Sequence, residues 1–153
     1  MAGLHPATAH ALTAPIGWRP SSFAVDSDMS THAAAPSYVA LGDSYSSGTG
    51  TRTYLNDGTS CKRSPYAYPS LISSARSYAL NFRACSGATV DDVTNTQLSA
   101  LSSSTSYVSI SIGGNDTGFA DVLTTCAMPG WMSNCNGRID TAENFVKNTL
   151  PGR

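Results

Sequence analysis

The amino-acid sequence predicts an α/β fold with a parallel sheet. Two observations carry the prediction. Three short apolar runs each end in a glycine-bearing loop, and the segments around them repeat apolar residues every three to four positions. Strand and helix signals alternate along the chain and no internal repeat competes, which is the pattern of a sheet covered by crossover helices.

The first run, Tyr38-Val39-Ala40-Leu41-Gly42, is too short for a helix and reads as a buried parallel strand. Pro69 suits the first turn of a helix running to about Arg76, with Leu71, Ile72 and Ala75 on one face. The second strand is expected over Ala79 to Cys85. A second helix follows, with Thr89 as its N-cap, Asp91 and Asp92 near the positive end of its dipole, and Val90, Val93, Gln97, Leu98 and Leu101 along its apolar face. The third strand, Tyr107 to Ile112, is closed by Gly113-Gly114 and has the β-branched content of a central strand. A third helix is predicted from Asp116 through Phe119, Val122 and Leu123. A fourth begins near Ile139, with Ala142, Phe145, Val146 and Leu150 recurring at helical steps.

Composition sets the limits. With 153 residues, 41% hydrophobic and 12% charged, the chain holds one compact domain and is too apolar for a disordered tail. Nine Lys+Arg against ten Asp+Glu leave a net charge of -1, without the positive field that would hold a nucleic-acid backbone or an anionic membrane. No stretch approaches the roughly 18 to 20 apolar residues of a membrane-spanning helix, so a soluble chain without stable membrane insertion is expected.

Four cysteines, Cys61, Cys85, Cys126 and Cys135, occur without a C-x-x-C pair or a neighbouring histidine, which favours disulfides over a metal site. Together with little Lys and abundant Ser, Thr, Ala and Gly, they point to a secreted protein. Proximity in the chain favours Cys126 with Cys135, leaving Cys61 with Cys85, among three possible pairings. Residues 1–36 lack the apolar run of a signal peptide, although His32-Ala33-Ala34-Ala35 has the small residues of a cleavage region. They are expected to be a flexible leader or the remnant of an export signal, with the folded domain over 37–153.

Ligands of parallel sheets bind beyond the carboxyl ends of the strands. The loops expected there are Gly42-Asp43-Ser44-Tyr45-Ser46-Ser47-Gly48, Cys85-Ser86-Gly87-Ala88-Thr89 and Gly113-Gly114-Asn115-Asp116. They supply a hydroxyl nucleophile, a backbone donor free of a Cβ, and a side-chain amide donor. Acyl transfer asks for such groups, because a serine attacks an ester and the resulting oxyanion needs fixed N–H groups. Each residue also has a plainer role. Ser44 is able to cap the following helix, Gly87 to serve as a turn glycine and Asn115 as a helix N-cap, while Asp43 is expected to orient its loop through backbone N–H groups. A phosphate-binding reading of the first loop fails for want of its lysine. For Tyr66, Tyr68, Trp131 and Met132, packing is favoured over contact with an acyl chain.

Together the three blocks resemble those of the SGNH, or GDSL-type, hydrolases, and among them secreted actinobacterial lipases, esterases and phospholipases. The resemblance runs from about Tyr38 to the end of the chain. It implies a flavodoxin-like three-layer α/β/α sandwich, about three strands of which are present here, and hydrolysis of a lipid or small-molecule ester through an acyl-enzyme. It assigns Ser44 as nucleophile and Ser44, Gly87 and Asn115 to the oxyanion hole, and it points to the same two disulfides. No metal or organic cofactor is implied, and a monomer is expected for the full-length protein.

The family takes its general base from an Asp-x-x-His block near the C-terminus, which does not occur before Arg153. The only histidines, His5, His10 and His32, fall in the leader, where no rigid scaffold would hold a base. The chain is therefore expected to be the N-terminal part of a longer enzyme, inactive by itself, with an exposed strand edge and exposed apolar helix faces. The alternatives are a non-catalytic binding module and an esterase of acetylated carbohydrate.

Overall fold

The computed structural model describes residues 34–153, so most of the expected leader, with His5, His10 and His32, lies outside the described residues. The architecture is a three-stranded parallel sheet in the order β2-β1-β3 with helices in the connections. Strand β1 (Ser37–Gly42) lies in the centre, and every residue from Tyr38 onward is buried. Its apolar run thus forms the core, with Val39, Ala40 and Leu41 almost inaccessible. Strand β2 (Ala79–Phe82) pairs with β1 in the register Ser37↔Ala79 to Ala40↔Phe82. Strand β3 (Tyr107–Ser111) pairs on the other side, from Tyr38↔Tyr107 to Gly42↔Ser111.

The β-branched run expected to lie centrally is therefore at an edge. Tyr107, Val108 and Ile110 are each about half exposed, and β3 has no partner beyond it among the described residues. β2 is also shorter than its sequence suggests. The N–H groups of Arg83 and Ala84 both donate to the Ala40 carbonyl, at 2.8 and 3.0 Å, so the ladder loses its regular pairing there. Cys85 still donates to Gly42, at 2.9 Å.

A single turn, α1 (Ser44–Ser47), follows β1, and a long loop leads to α2 (Tyr68–Arg76) with Pro69 in its first turn. Leu71 and Ile72, expected to face the core, are exposed. The inward side of α2 carries hydroxyls instead: Ser70 Oγ donates to the Ser64 carbonyl and Ser73 Oγ to that of Tyr78, at 2.9 and 2.8 Å.

The next helical segment begins as α3 (Val90–Asp92), widens to a π turn over Val93–Gln97 and tightens to a 3₁₀ turn over Leu98–Ala100. The widening turns Val93 and Gln97 inward, while Leu98 and Leu101 stay exposed, contrary to the predicted face. Helix α4 (Phe119–Ala127) starts one turn after the expected Asp116, because residues 114–118 form tight turns and Gly118 takes the cap. Helix α5 (Cys135–Asn148) starts one turn before Ile139, where the Asn134 side chain accepts from the Gly137 N–H. Neither α4 nor α5 contains a buried residue.

Candidate active site

The chain passes from β1 outward to β2, then crosses back to β3 on the opposite side of β1. The loops after β1 and β3 consequently diverge at the carboxyl end of the sheet and leave a crevice at the point where strand order reverses. A cleft of about 420 Å³ lies there, lined by Asp43, Ser44, Tyr45, Ile112, Asn115 and Phe119 among others.

The loop carrying Ser44 is fixed by its backbone. Gly42 has φ +125°, and a Cβ at this position would overlap the Ser111 carbonyl oxygen and the Ser46 hydroxyl. Only glycine allows β1 and β3 to approach this closely. The Asp43 N–H then donates to the Ser111 carbonyl at 3.0 Å, tying the start of the Ser44 loop to the end of β3. Asp43 is the N-cap of α1, its carboxylate accepting from the Tyr45 N–H at 3.0 Å, so the expected structural role of Asp43 holds and Ser44 is not the cap. Ser44 is the first residue of the turn. Behind it, Ser46 and Ser47 are buried, and Ser46 Oγ is 2.9 Å from the Tyr68 hydroxyl.

Sequence reasoning missed the residue that holds this arrangement from below. Gln97, read as part of an apolar helix face, is buried; its Oε1 accepts from the Gly42 N–H at 2.8 Å and its Nε2 donates to the Gly42 carbonyl at 3.0 Å. One primary amide thus satisfies both backbone groups where β1 ends, a demand that a buried peptide group places on its surroundings. A polar residue at an inward helical position was the available signal.

Gly87 follows Cys85-Ser86 in a turn closed by the Ala88 N–H on the Cys85 carbonyl, with φ +89° and open space where a Cβ would stand. It faces a depression of about 280 Å³ bordered by Ser86, Ala88 and Asp92, which is distinct from the cleft of Ser44 and Asn115. The two loops are nonetheless bonded to each other. Asn115 Nδ2 donates to the Ala88 carbonyl at 2.8 Å, and the fully buried Asp116 carboxylate accepts from the Val90 N–H at 3.0 Å. Asn115 is accordingly not a helix N-cap; Gly118 occupies that position for α4.

The Gly87 loop is held from its other side as well. Thr89 and Asp92 form a reciprocal capping box, and the Thr89 N–H and hydroxyl hold the Asp92 carboxyl below the usual carboxylate range. Cys61 and Cys85 form a disulfide, and the Ser86 N–H donates to the Cys61 carbonyl at 2.9 Å. Cys126 and Cys135 form the second disulfide, as the favoured pairing had it. Of the aromatic and Met side chains assigned to packing, only Tyr68 is half-buried; Tyr66, Trp131 and Met132 are exposed.

Fold and cleft define an α/β protein with a crevice at the switch point of a parallel sheet. The chain belongs to the GDSL-like Lipase/Acylhydrolase family, whose profile matches residues 40–148. It is 55% identical over 122 residues to Lipase 1 of Streptomyces coelicolor, covering 79% of this chain and 45% of that protein. It is 49% identical over 120 residues to a lipase of Streptomyces rimosus, covering 78% and 44%. A crystal structure of phospholipase A1 from Streptomyces albidoflavus superposes with a TM-score of 0.72 at 55% identity, over 78% of this chain and 50% of that one. The chain therefore spans about half the length of the curated relatives it matches.

Proposed function

We propose that the protein is a secreted serine hydrolase of lipid esters that works through an acyl-enzyme on Ser44, with residues 37–153 forming the N-terminal part of its hydrolase domain. The observation that carries this reading is the meeting of Ser44 and Asn115 in one cleft at the switch point of the sheet. Lipid esters are favoured over acetylated carbohydrate because the similar proteins are named lipases and a phospholipase A1. Secretion is supported by the two disulfides and by the solved S. rimosus lipase, which is described as extracellular.

In this mechanism Ser44 Oγ attacks the ester carbonyl carbon while its proton passes to a base. The carbonyl electron pair moves onto oxygen, to which the Ser44 N–H and Asn115 Nδ2 donate from the cleft; the Gly87 N–H, bordering the next depression, joins them as the third donor once its loop turns toward the cleft. Each such donor contributes about 2.7–4 kcal/mol to the transition state. The bond between Asn115 Nδ2 and the Ala88 carbonyl supports its part, since it fixes the amide and leaves one hydrogen for the substrate. Collapse of the intermediate breaks the bond to the alcohol, which departs with the base's proton, and water releases the acid by the same steps. No histidine lies within residues 34–153, so the base is assigned to a group outside them. These steps require no metal or organic cofactor.

The test is a chimera in which residues 34–153 replace the matching segment of the S. coelicolor relative, assayed on p-nitrophenyl esters of short and long acids. Turnover that falls about 10³-fold or more in Ser44→Ala is expected. A chimera with native circular dichroism and no turnover would leave the non-catalytic binding module as the better reading.

A further inference from the structure

We propose that Gln97 is a positioning residue for the reaction at Ser44: its side-chain amide sets the direction of the Ser44 N–H that receives the oxyanion. The proposal rests on the acyl-enzyme reading above and adds to it a residue that touches no substrate.

Four observations support it. First, Gln97 is 3% exposed and reaches the end of β1 from the last position of the π turn. Such widened turns are frequent at functional sites. Second, its amide meets both backbone groups of Gly42, Oε1 accepting from the N–H at 2.8 Å and Nε2 donating to the carbonyl at 3.0 Å. A primary amide carries an acceptor and a donor on one carbon, so it pairs with the N–H and C=O of one residue without burying a charge.

Third, the peptide held by this amide leads directly to Ser44. Its carbonyl oxygen is bonded to Gln97, and its N–H, that of Asp43, donates to the Ser111 carbonyl at 3.0 Å. The planar Gly42–Asp43 unit is therefore pinned along both edges. Beyond it, the Asp43 carboxylate accepts from the Tyr45 N–H and the Asp43 carbonyl from the Ser47 N–H, at 3.0 and 2.9 Å. Between these fixed points the Ser44 N–H bonds to no group among the described residues and is left for the substrate. Its aim is set by the bonds on either side.

Fourth, the same Gly42 oxygen accepts from the Cys85 N–H at 2.9 Å, and Cys85 opens the loop of Gly87. Gln97 also borders the depression that Gly87 faces. The two loops that carry backbone donors thus share one anchor, whose two lone pairs are filled by Gln97 and Cys85.

The chimera described above supplies the test. Gln97→Leu keeps the volume and removes both bonds. Per folded molecule, counted by near-ultraviolet circular dichroism, its kcat is expected to fall about 10²-fold with KM unchanged, as for a misplaced donor. Val93→Ala opens a cavity in the same π turn and leaves the hydrogen bonds in place. It should lower the melting temperature and keep kcat within about twofold. Gln97→Glu gives the rescue. Its protonated acid accepts and donates as the amide does, whereas its carboxylate has no donor and would face the Gly42 carbonyl. Burial raises the pKa of such an acid. The kcat of Gln97→Glu should therefore match the parent's at the acid end and fall below it as pH rises between about 5 and 9.

A folded Gln97→Leu at the parent's rate, a loss that shows in KM instead, a loss equalled by Val93→Ala, or a Gln97→Glu to parent ratio independent of pH would each overturn the proposal. Should Gln97→Leu not fold, the pH dependence of Gln97→Glu decides alone. A parent chimera without Ser44-dependent turnover would overturn the acyl-enzyme reading and this proposal together, whereas Gln97 variants as fast as an active parent would overturn this proposal only.

Discussion

The end of β1 and the α4–α5 hairpin are built on opposite plans. At Gly42 three separate segments are joined by hydrogen bonds to the backbone: the Gln97 side-chain amide from the π turn, the Cys85 N–H from the β2 loop, and the Asp43 N–H to the Ser111 carbonyl of β3. The hairpin has no buried residue; one disulfide and the exposed Arg138–Asp121 ion pair join its helices, and Lys147 with Glu143 form a further exposed pair within α5. The difference teaches where precision lies in this molecule. Backbone groups removed from water must be satisfied in fixed directions, so the loop of Ser44 has one arrangement. Surface charge pairs contribute little and tolerate change.

The sharpest way to break the contrast is Gly42→Ala. The added methyl would overlap the Ser111 carbonyl, and φ +125° is hostile to any Cβ. A loss on the order of 3 kcal/mol or more is expected, seen as collapse of the thermal transition. Removing the disulfides by paired Cys→Ala changes comes next. Loss of Cys61–Cys85, which spans 24 positions, should cost roughly 3 kcal/mol and loosen the Gly87 loop. Loss of Cys126–Cys135, spanning 9, should cost somewhat less and leave amide exchange in the sheet unchanged. Equal exchange throughout the domain in both variants would erase the distinction between the two regions.

Gln97→Ala should cost about 1–3 kcal/mol, because the Gly42 N–H stays buried without a partner. Denaturant melts measure it, and Gln97→Leu should be no better if hydrogen bonding rather than volume is what matters. The smallest effect concerns the capping box. Asp92 has its carboxyl lowered by the Thr89 N–H and hydroxyl, so the carboxylate form stabilises the fold. That contribution is complete at neutral pH and is lost as pH falls below the ordinary carboxylate value of about 4. The difference in melting temperature between the parent and Asp92→Ala should therefore shrink on acidification.

Much of this was legible in the sequence, and the misses share a cause. Each strand was placed within a few residues, because a short apolar run closed by glycine has few other uses. The Thr89 cap was found from residue type, and the disulfide pairing from proximity and the family likeness. Helix faces were the weak point. Leu71, Ile72, Leu98 and Leu101 have apolar spacing and are exposed, while Gln97 is polar and buried. Periodicity reports which residues share a face and not what that face meets.

The local sequence by itself determined the α/β class, the three loops and the residue types that acyl transfer would use, since short-range apolar patterning and glycine placement act within a few residues. Tertiary structure alone decided that β1 is central and β3 an edge, and that Ser44 and Asn115 share a cleft while Gly87 borders the next depression. The reason is that strand order and hydrogen bonds between distant segments, 55 positions apart for Gly42 and Gln97, depend on where the chain returns. No local pattern encodes that return.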